Sequence, residues 1–187
     1  MRLVVGISGA SGAIYGVRLL KALKDAEVPV YLTISSAAEI NLKLETDLTA
    51  RSLTKLVERI YAADDMGAPI SSGSFPVDGM VIVPCSMKTL AAIANGYSDT
   101  LITRTADVTL KEHRTLILVP RETPLNRIHL KNMLTLAEAG AIILPASPGF
   151  YHSPKNIDQL IDHIVGKIMD ALHLEHNLYK RWTGQTH

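Results

Sequence analysis

The sequence predicts a Rossmann-like α/β fold, a parallel sheet held as the middle layer of a three-layer sandwich, and three observations carry that expectation. Short runs rich in β-branched residues alternate with stretches of helical apolar spacing along most of the chain. The first such run ends in a glycine- and serine-rich turn, Ser8-Gly9-Ala10-Ser11-Gly12, that opens directly into a helical pattern. The chain has 187 residues, 47% of them hydrophobic, enough to bury one core at a size where one domain is the default.

Arg2 to Ile7 reads as the first strand, and Ile14, Val17, Leu20 and Leu23 recur behind the turn at helical spacing. Val28 to Ile34 gives a second strand. Ser35-Ser36 caps a helix running to about Glu45, and Leu53, Leu56, Val57 and Ile60 predict a further amphipathic helical stretch. Residues 61–78 break the rhythm with Asp64-Asp65, Gly67, Pro69, Ser71-Ser72-Gly73-Ser74 and Pro76, a loop long enough to suggest a lid or a subunit contact. The third strand, Gly79 to Val83, ends at Pro84-Cys85-Ser86 and leads into an alanine-rich helix from Met87 to Asn95 that Gly96 stops. Leu101 to His113 is a helix, Thr115 to Val119 the fourth strand, 126–139 a helix, Ala141 to Leu144 the fifth strand and 157–172 the last helix. The expected domain spans residues 1–175, followed by a polar tail over 176–187 in which Trp182 is the one evident anchor. Strands and helices alternating in this way require right-handed crossovers, which place helices over both faces of a parallel sheet.

Composition narrows the function. Lys and Arg number 19 against 18 Asp and Glu, for a net charge of +1 with no run of one sign, which argues against a nucleic-acid partner. No apolar run approaches the roughly 20 residues that span a bilayer, so membrane insertion is not expected. The single cysteine, Cys85, and an N-terminus that begins as a strand suggest the cytoplasm. Seven histidines form no metal-ligand spacing, His173 and His176 being only an isolated i, i+3 pair, so no metal is expected.

In a sheet of this kind ligands bind beyond the carboxyl ends of the strands, which selects five segments. Ser8-Gly9-Ala10-Ser11-Gly12 offers backbone amides at a helix start, a setting that favours an anion such as a phosphate, although the same glycines also suit a tight turn on geometry alone. Gly6, Gly9, Gly12 and Gly16 do not follow the dinucleotide spacing, and no acidic residue follows the second strand to hold a ribose. Ser35-Ser36 and Cys85-Ser86-Met87-Lys88-Thr89 repeat the arrangement, each equally readable as a plain cap, and Cys85 has no matched base that would make it a nucleophile. Arg121-Glu122 directly follows the fourth strand, where charge needs a partner or a task. Arg104 and Lys111 stand two turns apart on one helical face and with Arg121 suggest a cationic pocket, a solvated face explaining the helical pair as well. Pro148-Gly149-Phe150-Tyr151-His152 presents a phenol and an imidazole after the fifth strand.

With Leu44-Glu45-Thr46-Asp47, Ser71-Ser72-Gly73-Ser74 and Arg104-Thr105-Ala106-Asp107-Val108-Thr109-Leu110-Lys111-Glu112 added to these segments and to Val119-Pro120-Arg121-Glu122-Thr123-Pro124, the chain resembles the UbiX/Pad flavin prenyltransferases from residue 2 to about 172. The resemblance implies the flavoprotein type of the Rossmann-like fold and the transfer of a dimethylallyl group from dimethylallyl phosphate to reduced FMN, closing a fourth ring across flavin N5 and C6. It further implies a homododecamer with sites between subunits, and a separate UbiD-type decarboxylase that receives the prenylated FMN.

Residue by residue, the resemblance implies FMN against Gly9, Ala10, Ser11, Ser35, Ser86, Met87, Lys88, Thr89 and Arg121, and dimethylallyl phosphate against Arg104, Lys111, Tyr151 and Lys167. Glu122 and Ser11 would carry protons, with Glu45 and Lys111 as further catalytic groups. Such a set is coherent, because breaking an allylic C–O bond builds charge on the departing phosphate that fixed cations stabilise. Two positions depart from the family: Lys167 stands where arginine is frequent and loses bidentate geometry, and Met66 aligns near a frequent tryptophan. The alternatives are a flavin-dependent cysteine decarboxylase, whose Pro-Ala-Ser-Ala-Asn-Thr and Pro-x-Met-Asn hallmarks are absent, and a non-catalytic flavin carrier, for which Arg104, Lys111 and Arg121 would have to be structural.

Overall fold

The computed structural model describes residues 1–184. Six strands form one parallel sheet: β1 (Leu3–Ile7), β2 (Val30–Ile34), β3 (Arg59–Ala62), β4 (Gly79–Cys85), β5 (Thr115–Pro120) and β6 (Ile142–Ile143), in the order β3-β2-β1-β4-β5-β6. The helices are α1 (Ala13–Asp25), α2 (Ser36–Thr46), α3 (Met87–Ala94), α4 (Leu101–Lys111), α5 (Arg127–Glu138) and α6 (Ile157–Ala171). The order reverses between β1 and β4, so the crevice for a ligand lies above those two strands.

Strand periodicity sorts the core into two layers. Leu3, Val5, Ile7, Val81, Val83, Ile117 and Val119 point to one face, where Val17 and Leu20 of α1 and Ile161, Ile164, Val165 and Ile168 of α6 cover them. Val4, Met80, Ile82, Leu116 and Leu118 point to the other, under Leu90 and Ile93 of α3, Ile102 and Ala106 of α4 and Leu136 of α5. Both layers are apolar because strands buried on two sides have no solvated face. Gly16 lets α1 lie on the sheet, since a Cβ there would stand 2.7 Å from the Val83 carbonyl oxygen. Arg18 Nε and Asp162 Oδ1, 2.6 Å apart, join α1 to α6.

The expected architecture stands, with three differences. The stretch read as helical from Leu53 to Ile60 is a 3-10 turn, Ala50–Leu56, followed by β3, so the sheet has a sixth strand. This edge strand has four residues and only Tyr61 fully buried; its short apolar run merges in sequence with the preceding turn. The loop after β3 is not a free lid, because Arg104 donates to the Ser71 carbonyl at 3.1 Å and Arg114 to the carbonyls of Gly73 at 2.6 Å and Phe75 at 3.1 Å. Trp182 is not the main anchor of the tail, being 61% exposed. Leu174 and Leu178 pack on the core, while His176, Tyr179 and Arg181 close on Asp170 of α6. The Tyr179 ring fits because Gly166 has no side chain, a Cβ there standing 2.5 Å from the ring. Residues 185–187 of the tail lie outside the described residues. No helix among the described residues is long and apolar enough to cross a membrane.

Candidate active site

The turn between β1 and α1 is built for close approach. A Cβ on Gly9 would stand 2.6 Å from that of Ala37 at the start of α2, and Gly12 takes φ +104, a left-handed value that glycine adopts without strain. Gly12 has no side chain to cap α1, and Glu45 from the last turn of α2 does so instead. Its carboxylate accepts from the Gly12 amide at 2.9 Å and the Ala13 amide at 2.8 Å. The negative charge that the dipole of α1 attracts is therefore a side chain of the same chain. Glu45 thus shapes the turn carrying Gly9, Ala10 and Ser11, rather than leaving α1 open for a phosphate.

Two neighbouring helix starts complete a cradle. Ser35 caps α2 by accepting from Ala38 at 3.2 Å, and Ser86 caps α3 by accepting from Thr89 at 3.3 Å. Each cap engages its helix three residues on, and the earlier amides of a first turn have no intrahelical partner. Two residues to which the sequence argument gave no role of their own lock these loops. Ser8, buried, donates its hydroxyl to the Pro84 carbonyl at 2.9 Å and accepts from the Ser86 amide at 2.8 Å, spanning the switch point between β1 and β4. Asn41 donates to the Gly9 carbonyl at 3.2 Å. The signal for Asn41 was its spacing: it stands four residues before Glu45, hence on the same helical face.

Arg121 and Glu122 follow β5. Arg121 donates from Nε to the Ser11 carbonyl at 3.1 Å, which brings its guanidinium to the β1–α1 turn. Burial pushes the nearby Tyr15 phenol up, with Arg121 pulling it the other way. Glu122 accepts from the Thr123 amide at 3.0 Å and, with Arg121, lines an open cavity of about 250 Å³ that Leu125, Met133 and Ser147 also border. The Ala146 amide donates to the Pro120 carbonyl at 3.1 Å, drawing the 145–154 loop beside this corner. In that loop the Tyr151 hydroxyl lies 3.4 Å from Nε2 of His163 on α6, and Lys167 stands one turn further along, with Nζ 3.5 Å from Asp170.

The structure gathers Gly9, Ala10, Ser11, Glu45, Ser35, the Ser86–Thr89 segment, Arg121 and Glu122 along one edge, and places Tyr151 and Lys167 together on the side of α6. It does not assemble the cationic pocket within one chain. Arg104 sits one turn into α4, paired with Asp107 at 2.9 Å, whereas Lys111 ends α4 against Glu112, whose carboxyl it holds below the usual range. Lys111 lies at the entry side of β5 and Arg121 at its exit, a strand length of roughly 20 Å apart. Lys88 turns outward to Asp99 at 3.2 Å, leaving its backbone for any ligand contact. Met66 lies on the surface loop after β3, and burial pushes the Cys85 thiol up to about 12, away from nucleophilic use. No group of three potential metal-ligating side chains occurs among the described residues.

A Rossmann-like sheet with the open starts of α2 and α3 beside its switch point and a guanidinium reaching the β1–α1 turn is the arrangement of a nucleotide-type phosphate binder, and residues 1–172 match the family model described as Flavoprotein. Over 184 residues, 98% of each chain, the protein is 53% identical to the flavin prenyltransferase LpdB of Lactiplantibacillus plantarum. It superposes on AnUbiX (PadA1), solved with FMN and dimethylallyl pyrophosphate, with a TM-score of 0.97 and 49% identity, covering 99% of this chain and 98% of that one. The dodecameric FMN-dependent UbiX-like decarboxylase of Escherichia coli O157:H7 gives 0.96 and 47%, over 98% and 100%. The chain belongs to the UbiX-type flavin prenyltransferase family. Peptidyl-cysteine decarboxylase EpiD, at 19% identity and a TM-score of 0.62 over 79% of this chain and 81% of that one, shares the fold alone.

Proposed function

We propose that this protein transfers a dimethylallyl group from dimethylallyl phosphate to reduced FMN. Reduced FMN, when bound, supplies the nucleophilic N5 and C6 positions that accept the prenyl carbons. The cradle fits it by its donor chemistry, because first-turn amides of α2 and α3, the Ser35 hydroxyl and the Arg121 guanidinium all favour an anionic group at the switch point. Gly9, Ala10 and Ser11 supply a wall without bulk, which Glu45 and Asn41 hold in shape.

The observation that carries the reading is the junction at Arg121-Glu122. One strand end supplies a guanidinium tied to the flavin-side turn and, next to it, a carboxylate lining an open cavity. Lys167 and the Tyr151 hydroxyl stabilise charge on the departing phosphate, and Glu122, assisted by Ser11, moves the protons that substitution at a ring carbon releases. Arg104 and Lys111 serve the site of a neighbouring subunit, Lys111 standing a strand length from Arg121 in one chain. A dodecamer supports this assignment, and the exposed apolar residues Ile128 and Leu134 of α5 and Ile40 and Leu44 of α2 are suited to such contacts. Residues 1–175 form the flavin-binding domain, and the polar tail that follows docks on it through Leu178 and through His176, Tyr179 and Arg181 at Asp170. The protein works in the cytoplasm, in keeping with its single unpaired cysteine, and passes its product to a UbiD-type decarboxylase.

Anaerobic incubation with reduced FMN and dimethylallyl phosphate is expected to yield flavin heavier by one prenyl unit in mass spectrometry. Flavin of unchanged mass would sink the proposal.

A further inference from the structure

Tyr151 is a phosphate contact only if its hydroxyl proton faces the substrate, and the structure contains a device that sets this direction. His163 is buried in α6, 5% exposed, beneath the 145–154 loop. Its Nδ1 accepts a hydrogen bond from the Gly149 amide at 3.3 Å. An imidazole nitrogen that accepts carries no proton, so in the neutral ring the proton sits on Nε2. Nε2 lies 3.4 Å from the Tyr151 oxygen. His163 therefore donates to Tyr151, one lone pair of the phenol oxygen is occupied, and the phenol proton turns away from the imidazole as a committed donor.

The surroundings hold the ring in this role. The His152 ring stacks on His163 at 5.0 Å and 3° between planes, and Tyr179 lies against it at 4.9 Å. Gly149 is part of the same fit: a Cβ there would stand 2.9 Å from Cε1 of Tyr151, so glycine lets the tyrosine ring fold back over its own loop. Burial, then His152 and Lys167, push the His163 pKa down, which keeps the ring neutral and its two nitrogens in the donor and acceptor roles described.

We infer that His163 is a positioning residue for Tyr151, fixing the phenol as a hydrogen-bond donor to the prenyl phosphate. The inference rests on the reading of Tyr151 as a phosphate contact. Its chemistry differs from that of the cations around the site: it supplies direction rather than charge.

The test uses the intact protein with reduced FMN and dimethylallyl phosphate, measuring KM, kcat and FMN affinity for His163→Phe, His163→Asn, His163→Gln, Tyr151→Phe and the Tyr151→Phe/His163→Phe pair. Phenylalanine keeps the ring and loses both nitrogens; asparagine keeps an acceptor near Nδ1 and loses the distal donor; glutamine can place an amide donor near Nε2. KM for dimethylallyl phosphate is expected to rise at least fivefold in His163→Phe and His163→Asn, with kcat within twofold and FMN affinity unchanged, and His163→Gln is expected to restore most of it. In the Tyr151→Phe background, His163→Phe is expected to add nothing. A full further loss in that background, or His163→Gln as impaired as His163→Asn, would show that His163 acts by packing and overturn the inference. If His163→Phe does not fold, the asparagine and glutamine pair decides alone. A Tyr151→Phe variant with unchanged KM would remove the reading on which the inference rests, and the inference with it, while leaving prenyl transfer itself in place.

Discussion

The two sides of the crevice are built in different ways. On the flavin side, β2, β1 and β4 are neighbours, and their following loops are tied by Ser8 to Ser86, by Asn41 to Gly9 and by Glu45 to Gly12, so one chain completes the cradle. On the phosphate side, Tyr151 and Lys167 come from a loop and α6, while Arg104 and Lys111 lie on α4, with Lys111 at the opposite end of the sheet. Strand-end chemistry is local and folds into place with the sheet. If, as proposed, Arg104 and Lys111 serve a neighbouring subunit, the cations for a leaving phosphate are completed only where chains meet, and flavin binding and prenyl transfer should be separable by mutation.

The sharpest way to break this contrast is Lys111→Ala. If Lys111 serves a neighbouring site, kcat/KM should fall about 10²-fold, the usual scale for removing a group aimed at developing charge, with FMN affinity unchanged. Mixed oligomers of Lys111→Ala with Glu122→Gln, each poorly active alone, should regain activity because some sites then combine an intact Lys111 with an intact Glu122. Absence of recovery in mixtures shown to exchange subunits would return Lys111 to a surface role. Glu122→Gln should lower kcat at least about tenfold while retaining FMN, the loss expected for a proton-transferring group; equal turnover would take Glu122 out of the chemistry.

The flavin side was legible in sequence because glycine, serine and strand ends act over a few residues. Its bracing was not: Glu45 lies 33 residues from the amide it caps, and only the direction of α2 brings it back. Arg104 and Lys111 show the limit of spacing arguments. Seven residues put them on one helical face, but α4 runs antiparallel to the strands and carries Lys111 away from Arg121. β3 escaped notice because an edge strand of four residues needs little apolar pattern. The tail offered only Trp182 as an anchor because its true partners converge on the single carboxylate of Asp170 and on the space left by Gly166, neither visible as a motif.

Ser8→Ala probes the bracing directly. The substitution leaves the half-buried Ser86 amide without its partner, which should cost about 1 kcal/mol of stability. Thermal unfolding should move down by a few degrees, and FMN affinity should fall more than the KM for dimethylallyl phosphate rises. A loss confined to the phosphate would contradict the division between the two sides.

The smallest effect is expected at the tail, and it sharpens the comparison from the phosphate side. Burial alone would raise the Asp170 carboxyl, but hydrogen bonds from Arg181, Tyr179 and His176 outweigh it and hold the group well below the usual carboxylate range. The Tyr179 phenol, half-buried and donating to that carboxylate, is pushed up to about 12. A carboxyl depressed in the folded state contributes stability that is fully present above its unfolded pKa of about 3.9 and is lost as pH falls through the folded value. The tail should therefore stay docked from neutral pH down to about pH 5 and loosen in stronger acid, and Asp170→Asn should loosen it already at neutrality. Amide hydrogen exchange at Leu178 and Tyr179 reads this out. Because Arg181 is 56% exposed and screened by solvent, the change should be confined to the tail and the 145–154 loop, with FMN affinity and the exchange of β1 and β4 unaltered. Exchange in Asp170→Asn matching the parent would show that apolar packing of Leu174 and Leu178 holds the tail. Faster exchange spreading into β1 would show that the two sides of the crevice are one cooperative unit, and the division drawn between them would fail.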